Sequence, residues 1–468
     1  MEIKHNEIEV IKENPFAECK LEREQYANIL SKVINNYADG FVLAINNEWG
    51  TGKTTFVKMW QQALKNEGFK TIYFNAWEND FDNNSLVALM SELKTLTNKK
   101  NDKIFKSVVE KGAILARNVL PALAKSLVKK HTGVDMDMII EGVENVAKGV
   151  TEILEKEINE YTTKKKTVLE FKKELEKFIK KTGNDKPFVF IIDELDRCRP
   201  DYAVEVLEQV KHFFSVYGIV FVLSIDKNHL ASSIKGYYGS NDINTDEYLR
   251  RFIDLEYSIP KPSTRLFCGY LYNYYSFDDF YSSDERKKYS AFSDDSTNLL
   301  KMAVLLFDKS NATLRQQEKI FALTRLVLSF FKPEQHTFPT LLFVLIYFKT
   351  MKNKLYEEIK NNIYSVQELC NIFENFISID FSKEYSVNLL YVEALLLIFY
   401  NNNKDSRSQE KLFDIDTEGE KICLINSKFQ STKRNLVDYF TSIFRESFEN
   451  LQLSYILKKI DLIEPIDK

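Results

Sequence analysis

Runs of apolar residues divide the first 260 positions into short, nearly continuous blocks. FVLAIN at 41–46, KTIYF at 70–74, PFVFII at 187–192 and IVFVLSI at 219–225 are each too short for a helix and do not alternate. Such blocks predict strands covered on both faces, the pattern of a parallel sheet held between helical layers. LEYSI at 255–259 is a weaker fifth strand. Between the blocks the spacing turns helical. TTFVKMWQQALKNEG closes on Gly68, and PDYAVEVLEQVKHFFSVYG carries a stripe of Ala203, Leu207, Val210 and Phe214 that Gly218 stops. Pro200 suits the first turn of that second helix. Strand, glycine-rich loop, helix, strand is the order of a βαβ unit.

From about 85 to 186 no such strand occurs. SLVALMSELKTL and LEFKKELEKFIKK (169–181) have helical spacing, and residues 104–154 alternate apolar and charged positions. The whole stretch is expected to be an amphipathic helical insertion packed on protein. Residues 276–298 are polar and predict an irregular surface segment. Beyond them the pattern is Leu/Phe/Ile-rich and helical, interrupted by NNNKDSRSQEK at 401–411. Residues 1–265 are therefore expected to form an α/β domain with a three-layer parallel sheet. Residues 266–468 are expected to form a mainly α-helical C-terminal domain, serving as a lid or a partner-binding region. A chain of 468 residues is long enough for two or three domains.

Composition narrows the chemistry. A formal charge of −4 exerts no global pull on nucleic acid or anionic membrane. Lysines at 164–166 and across 172–181 are read first as a solvated helix face. Five scattered cysteines without a C-x-x-C pair are expected to be free thiols, and five histidines show no metal-ligand spacing. The N-terminus lacks the apolar core of a secretory signal. The best candidate span, QHTFPTLLFVLIYF, has 14 residues, a polar start and an internal Pro339, and predicts a buried helix. A cytoplasmic protein is the resulting expectation.

The chemistry-bearing stretch is NNEWGTGKTTF at 46–56, which departs from G-x-x-x-x-G-K-[ST] only in holding Asn47 at the first glycine. Backbone N–H groups, a helix N-terminus, a cation and a hydroxyl are what a polyphosphate with magnesium requires. Asn47, Glu48, Trp49, Gly50, Thr51, Gly52, Lys53, Thr54 and Thr55 are thus the candidate nucleotide-binding residues. Lys53 is expected to reach the β- and γ-phosphates and Thr54 to ligate Mg²⁺. Asn tolerates the left-handed region, so Asn47 is expected to make the turn that glycine makes. In FVFIIDELDR, Asp193 ends a buried strand and is the second candidate magnesium ligand, while Glu194 is the candidate base for the attacking water. VLSIDK places Asp226 or Ser224 as a γ-phosphate sensor or an ordinary strand-end cap. EYLRRFIDL offers Arg251, or Arg250, as an arginine finger or as solvated surface charge. Trp77, after the second strand, would wall the nucleotide region or fill core, and core is the first expectation.

Taken together, NEWGTGKTTF, YFNAW, IIDELDRCRP, FVLSID, EYLRRFIDL and TLRQQEKI resemble the KAP family of P-loop NTPases, with gaps, from about Asn14 to Ile320. The resemblance implies an additional-strand, catalytic-glutamate fold, ATP as the nucleotide, Mg²⁺ as its cation, and a switch or assembly role with a homo-oligomer or a separate effector as partner. It also implies that Asp196 and Arg197 are structural or subunit-contacting, that Arg251 holds a position often basic, that Arg315 lies in a segment able to sense nucleotide, and that anti-phage defence is a setting. Two departures stand out: the insertion is too charged to span a bilayer as in many members, and Asn47 replaces glycine. Three activities follow as alternatives: an ATPase switch, a nucleotide-binding scaffold that hydrolyses little, and a nucleic-acid-dependent ATPase, the last disfavoured by charge.

Overall fold

The computed structural model describes residues 9–37, 40–81, 84–118, 146–182, 186–377, 389–415, 417, 421–430, 435–445, 448 and 450–462. The central part of the predicted insertion, 119–145, lies outside the described residues. The chain divides into two compact units, the first from Glu7 to Lys261 and the second containing Pro262–Lys468.

In the first unit the apolar blocks form β1 (Phe41–Asn46), β2 (Thr71–Asn75), β3 (Phe188–Asp193), β4 (Ile219–Ile225) and β5 (Leu255–Tyr257). They make one parallel sheet in the order β2-β3-β4-β1-β5. Every residue of β3 and β4 is buried, as continuous apolar runs require, whereas the edge strands β2 and β5 are partly open. One face packs on α1 (Glu24–Asn36) and α2 (Lys53–Asn66), where Leu30, Ile34, Phe56 and Trp60 meet Leu43, Ile45, Ile191 and Val222. The opposite face packs on α3 (Ser85–Lys94), α4 (Asp102–Asn118), α5 (Val146–Thr182) and α6 (Pro200–Gln209). In α5 the i, i+4, i+7, i+8 set Phe171, Leu175, Phe178 and Ile179 is buried, the stripe of a helix laid against a core.

The helix from Pro200 is not one uninterrupted α-helix. After α6 the chain makes a π turn at Val210–Phe214, then reaches Gly218 at φ +90°. Widening the turn lets the neighbours Phe213 and Phe214 both be buried, Phe214 edge-on to Phe171 at 5.7 Å. Helices α7 (Lys227–Tyr238) and α8 (Thr245–Leu249) then lead to β5.

The second unit is mostly helical: α9 (Thr264–Tyr274), α10 (Asp278–Tyr281), α11 (Asp295–Lys309), α12 (Leu314–Leu328), α13 (Pro339–Met351), α14 (Asn353–Lys360), α15 (Val366–Ile377), α16 (Leu389–Asn402), α17 (Leu436–Arg445) and α18 (Ser454–Ile460). TLLFVLIYF is a helix buried on all sides, and no described helix is long and apolar enough to cross a membrane. The expected irregular surface segment at 276–298 is largely exposed, but five residues anchor it in this core. Phe277, Phe280, Tyr281, Arg286 and Phe292 are buried, with Arg286 under the Phe292 ring, ion-paired to Asp295 and donating to the Pro333 and Gln335 carbonyls. The aromatic residues hidden among its charges carry the packing, and the buried guanidinium of Arg286 is paired with four acceptors, two carbonyls, Asp295 and Thr337. After the break at 401–411 the chain also forms an antiparallel pair, β6 (Phe413–Ile415) with β7 (Lys421–Cys423), which the helical pattern did not anticipate.

Between α15 and α16, Cys370, Glu374 and Glu393 are buried side by side; Ser427 and Cys370 donate to Glu393, and the Lys428 N–H donates to Glu374. Burial pushes the Glu393 carboxyl up to about 7. The folded chain therefore holds a proton here, between the ordinary carboxylate range and about pH 7, that the unfolded chain has released. This stabilisation is complete below the unfolded value and is lost as pH rises through the folded one, to an extent of about 3 kcal/mol. Urea unfolding at pH 5 and pH 8 should show the wild type losing stability relative to Glu393→Gln by about that amount. A stability difference between the two proteins that does not change with pH would refute the account.

Candidate functional site

The register places Asn46, Ile225, Asp193 and Asn75 along one edge of the sheet. At this edge the first three residues of α2 follow directly from the loop. Gly52 precedes them at φ +78° and ψ 31°, with no side-chain cap, so the N–H groups of Lys53, Thr54 and Thr55 are the orphan donors of a helix start. Gly50 is also left-handed, at φ +75°. These donors and the helix dipole make an anion cradle. A Cβ on Gly52 would lie 3.0 Å from the Arg23 guanidinium, in a backbone region that side-chain-bearing residues avoid.

Arg23 is a residue that the sequence did not flag. It is buried, has no carboxylate partner among its described contacts, and donates to the loop carbonyls of Thr51 (2.8 Å) and Gly52 (3.2 Å). Burial pulls its pKa down, although its ordinary value leaves ample margin for the charged form. Turning these carbonyls toward Arg23 directs the corresponding N–H groups away from it, toward the cradle. Nothing in LEREQYANIL distinguishes Arg23 from a surface arginine.

Asn47 does not make the left-handed turn expected of it, being absent from the described positive-φ residues. It acts as a backbone mimic. Its side-chain amide donates to the Ile259 carbonyl (2.8 Å) and accepts from the Ile259 N–H (2.9 Å), extending the β1–β5 pairing beyond the strand end. Its own N–H goes to Ile225 O, so what it offers the site is its carbonyl, which Lys53 Nζ caps together with that of Glu48. The Glu48 side chain lies outward beside Lys261, and the Thr51 hydroxyl closes the loop on the Glu48 carbonyl.

The acids occupy the end of β3, with β4 between it and β1. Two interstrand steps set the ends of β1 and β3 about 10 Å apart, and the side chains of the loop and the acids meet across that spacing. Asp193 is buried and accepts from Tyr73 Oη (2.9 Å) and from the Glu194 N–H (3.0 Å). Glu194 is left-handed (φ 61°, ψ 25°), which turns its carboxylate to 3.5 Å from Thr54 Oγ1 and 2.9 Å from Arg197 Nη1. Burial raises the Glu194 pKa while Arg197 opposes the rise. Burial lowers that of Lys53 against the fields of Asp196, Asp226 and Asp193. Two oxygen donors, Thr54 and Asp193, beside a lysine and uncapped N–H groups match the hard-cation and polyphosphate chemistry of a magnesium nucleotide. The Asp196 Oδ1 and Ser224 Oγ atoms, buried at this end of the sheet without hydrogen-bond partners, fit a site built for a polar guest.

Trp49 ties these parts together. Its indole N–H donates to Asp196, its backbone N–H to Asp226 (3.2 Å), and its ring stacks on His229 at 3.7 Å. Arg197 lies against the Trp49 and Trp77 rings at 5.5 and 5.6 Å. Trp77 is 54% exposed, so it belongs to this rim and not to the core. Asp226 is engaged on both oxygens, capping α7 through Asn228 and His229 and holding Trp49. Arg250 pairs with Glu247, and Arg251 is exposed without a described hydrogen bond or ion pair from its side chain to the loop or the acids. The structure therefore brings the loop residues, Asp193, Glu194 and Asp226 to one edge, whereas no described contact of Arg250 or Arg251 reaches the loop or the acids.

A parallel sheet with an extra strand between the phosphate loop and the acid-bearing strand defines a P-loop NTPase of the additional-strand type. The KAP family P-loop domain matches residues 23–331, and the chain belongs to that family. An uncharacterised protein of Methanocaldococcus jannaschii is 31% identical over 175 residues, covering 33% of this chain and 88% of the relative. The ORC2 protein of Aeropyrum pernix, solved in ADPNP–ADP complexes, aligns with 91% of this chain and 94% of its own at 12% identity. Its TM-score of 0.34 is too low to argue from.

Two substitutions separate the roles of the loop residues. Gly52→Val should abolish binding of a fluorescent ATP analogue. Asn47→Gly should retain binding while lowering the unfolding free energy by about 2 kcal/mol for two lost hydrogen bonds. Titration and urea unfolding of both variants check this, and equal affinities would refute it.

Proposed function

We propose that this chain binds MgATP and hydrolyses it, using the cycle as a switch or assembly step that controls a partner. The single observation that carries the reading is the meeting, at one sheet edge, of an uncapped helix start carrying Lys53 and Thr54 with Asp193 and Glu194 across one intervening strand. In this reading the loop N–H groups and Lys53 hold the phosphates. Thr54 and Asp193 hold magnesium, which supplies charge neutralisation when bound. Glu194 orients the attacking water and takes its proton. Asp226 keeps the loop in shape through Trp49, and Arg251 faces a neighbouring subunit. The helical second unit is the part offered to a partner, in a homo-oligomer or to a separate effector. A setting in anti-phage defence rests on the family resemblance alone, and the genes beside this one test it.

A second reading is favoured by one contact. The Glu194–Arg197 ion pair occupies the candidate base, as in a scaffold that signals by occupancy and hydrolyses little. Phosphate release by purified protein distinguishes the two. The ATPase reading expects turnover that Lys53→Ala and Glu194→Gln both abolish, with Glu194→Gln still binding ATP. Turnover no higher than that of Lys53→Ala, with and without nucleic acid, would leave only the scaffold.

A further inference from the structure

We propose that Arg197 is a positioning residue for the hydrolytic step: it fixes Glu194 through one carboxylate oxygen and is itself held by Trp49 and Trp77. The proposal rests on the reading of the site as an ATPase. Arg197 closes a single 3₁₀ turn, Leu195–Arg197, whose N–H at 197 bonds to the Glu194 carbonyl, so its side chain folds back over the acid. The ion pair at 2.9 Å engages Oε1, the oxygen that Thr54 Oγ1 also approaches at 3.5 Å. Oε2 takes part in neither contact. A carboxylate held this way has one oxygen fixed and one to receive a proton, and its left-handed backbone leaves little freedom to choose another direction.

The arginine needs its own support, since a long side chain at a partly exposed position would otherwise sample many rotamers. Two indole rings supply it, one from the phosphate loop and one from the turn after β2. Trp49 is fixed in turn by Asp196, Asp226 and His229. The loop that would wrap phosphate is thus joined to the candidate base through an aromatic–guanidinium contact. The groups facing Glu194 are Arg197 and Asp196 on its own turn, Asp193 on β3, Tyr73 on β2, Thr54 on α2, and the Cys198 thiol. Arg197 is the cation in direct contact with the carboxylate.

The test uses full-length protein carrying 5-fluorotryptophan, read by fluorine NMR without nucleotide, alongside steady-state hydrolysis. The Trp77 resonance, identified with Trp77→Phe, avoids the His229 ring that stacks on Trp49. At one fixed pH it should shift in Glu194→Gln and in Arg197→Lys, each of which breaks the carboxylate–guanidinium–indole contact. In turnover, Arg197→Ala and Arg197→Lys should each lower kcat roughly tenfold or more while the Kd of the ATP analogue stays within about threefold. Unchanged kcat, an equal loss of affinity, or a Trp77 signal indifferent to Glu194→Gln would each overturn the assignment to Arg197. Absence of Lys53-dependent turnover in the wild type would instead overturn the ATPase reading, and the positioning role of Arg197 with it.

Discussion

The placement of β4 between β1 and β3 is the constraint on which the rest of the site depends. Hydrogen-bonded strands keep a fixed spacing, so the loop after β1 and the acids after β3 cannot approach or separate without breaking the sheet. That rigid gap lets short polar side chains on opposite sides share one guest. It also explains the burial of β3 and β4: both strands are central, covered by helices on each face, and contribute only their ends to chemistry.

Charge at this edge is balanced locally. Lys53 lies among Asp193, Asp196 and Asp226, and its ammonium also caps two loop carbonyls. Arg23 grips the loop from behind through two further carbonyls. Between them the two cations take up four of the loop's carbonyls, while the N–H groups at the start of α2 stay uncapped for an anion. Trp49 joins this loop to the acid turn, so the site is a connected network in which the geometry of one part constrains the other.

Much of the architecture was legible because periodicity reports burial directly. The limits of FVLAIN and IVFVLSI coincide with β1 and β4, and the KTT and DE motifs fall at the helix start and strand end that give them meaning. The failures share a cause. Residues 276–298 read as surface throughout because their charges outnumber their rings, yet Phe277, Phe280, Tyr281, Phe292 and Arg286 pack inward. Trp77 read as core because it is large, yet it lines an open rim over Arg197. Asn47 read as a substitute for glycine by conformation, whereas its amide completes a strand pairing to a residue 212 positions away. Each depends on a partner distant in sequence, and local pattern carries no information about such partners.

The sequence alone determined the sheet, the phosphate loop and the identity of its chemical groups, since those follow from hydrophobic run length and from residue types at fixed short spacing. Tertiary structure alone decided which arginine stands by the candidate base, which holds the loop, and that Arg251 stands apart. Arg23, Arg197 and Arg251 are equivalent as letters. What separates them is where the folded chain places a guanidinium among carbonyls, a carboxylate and rings, or leaves it in water.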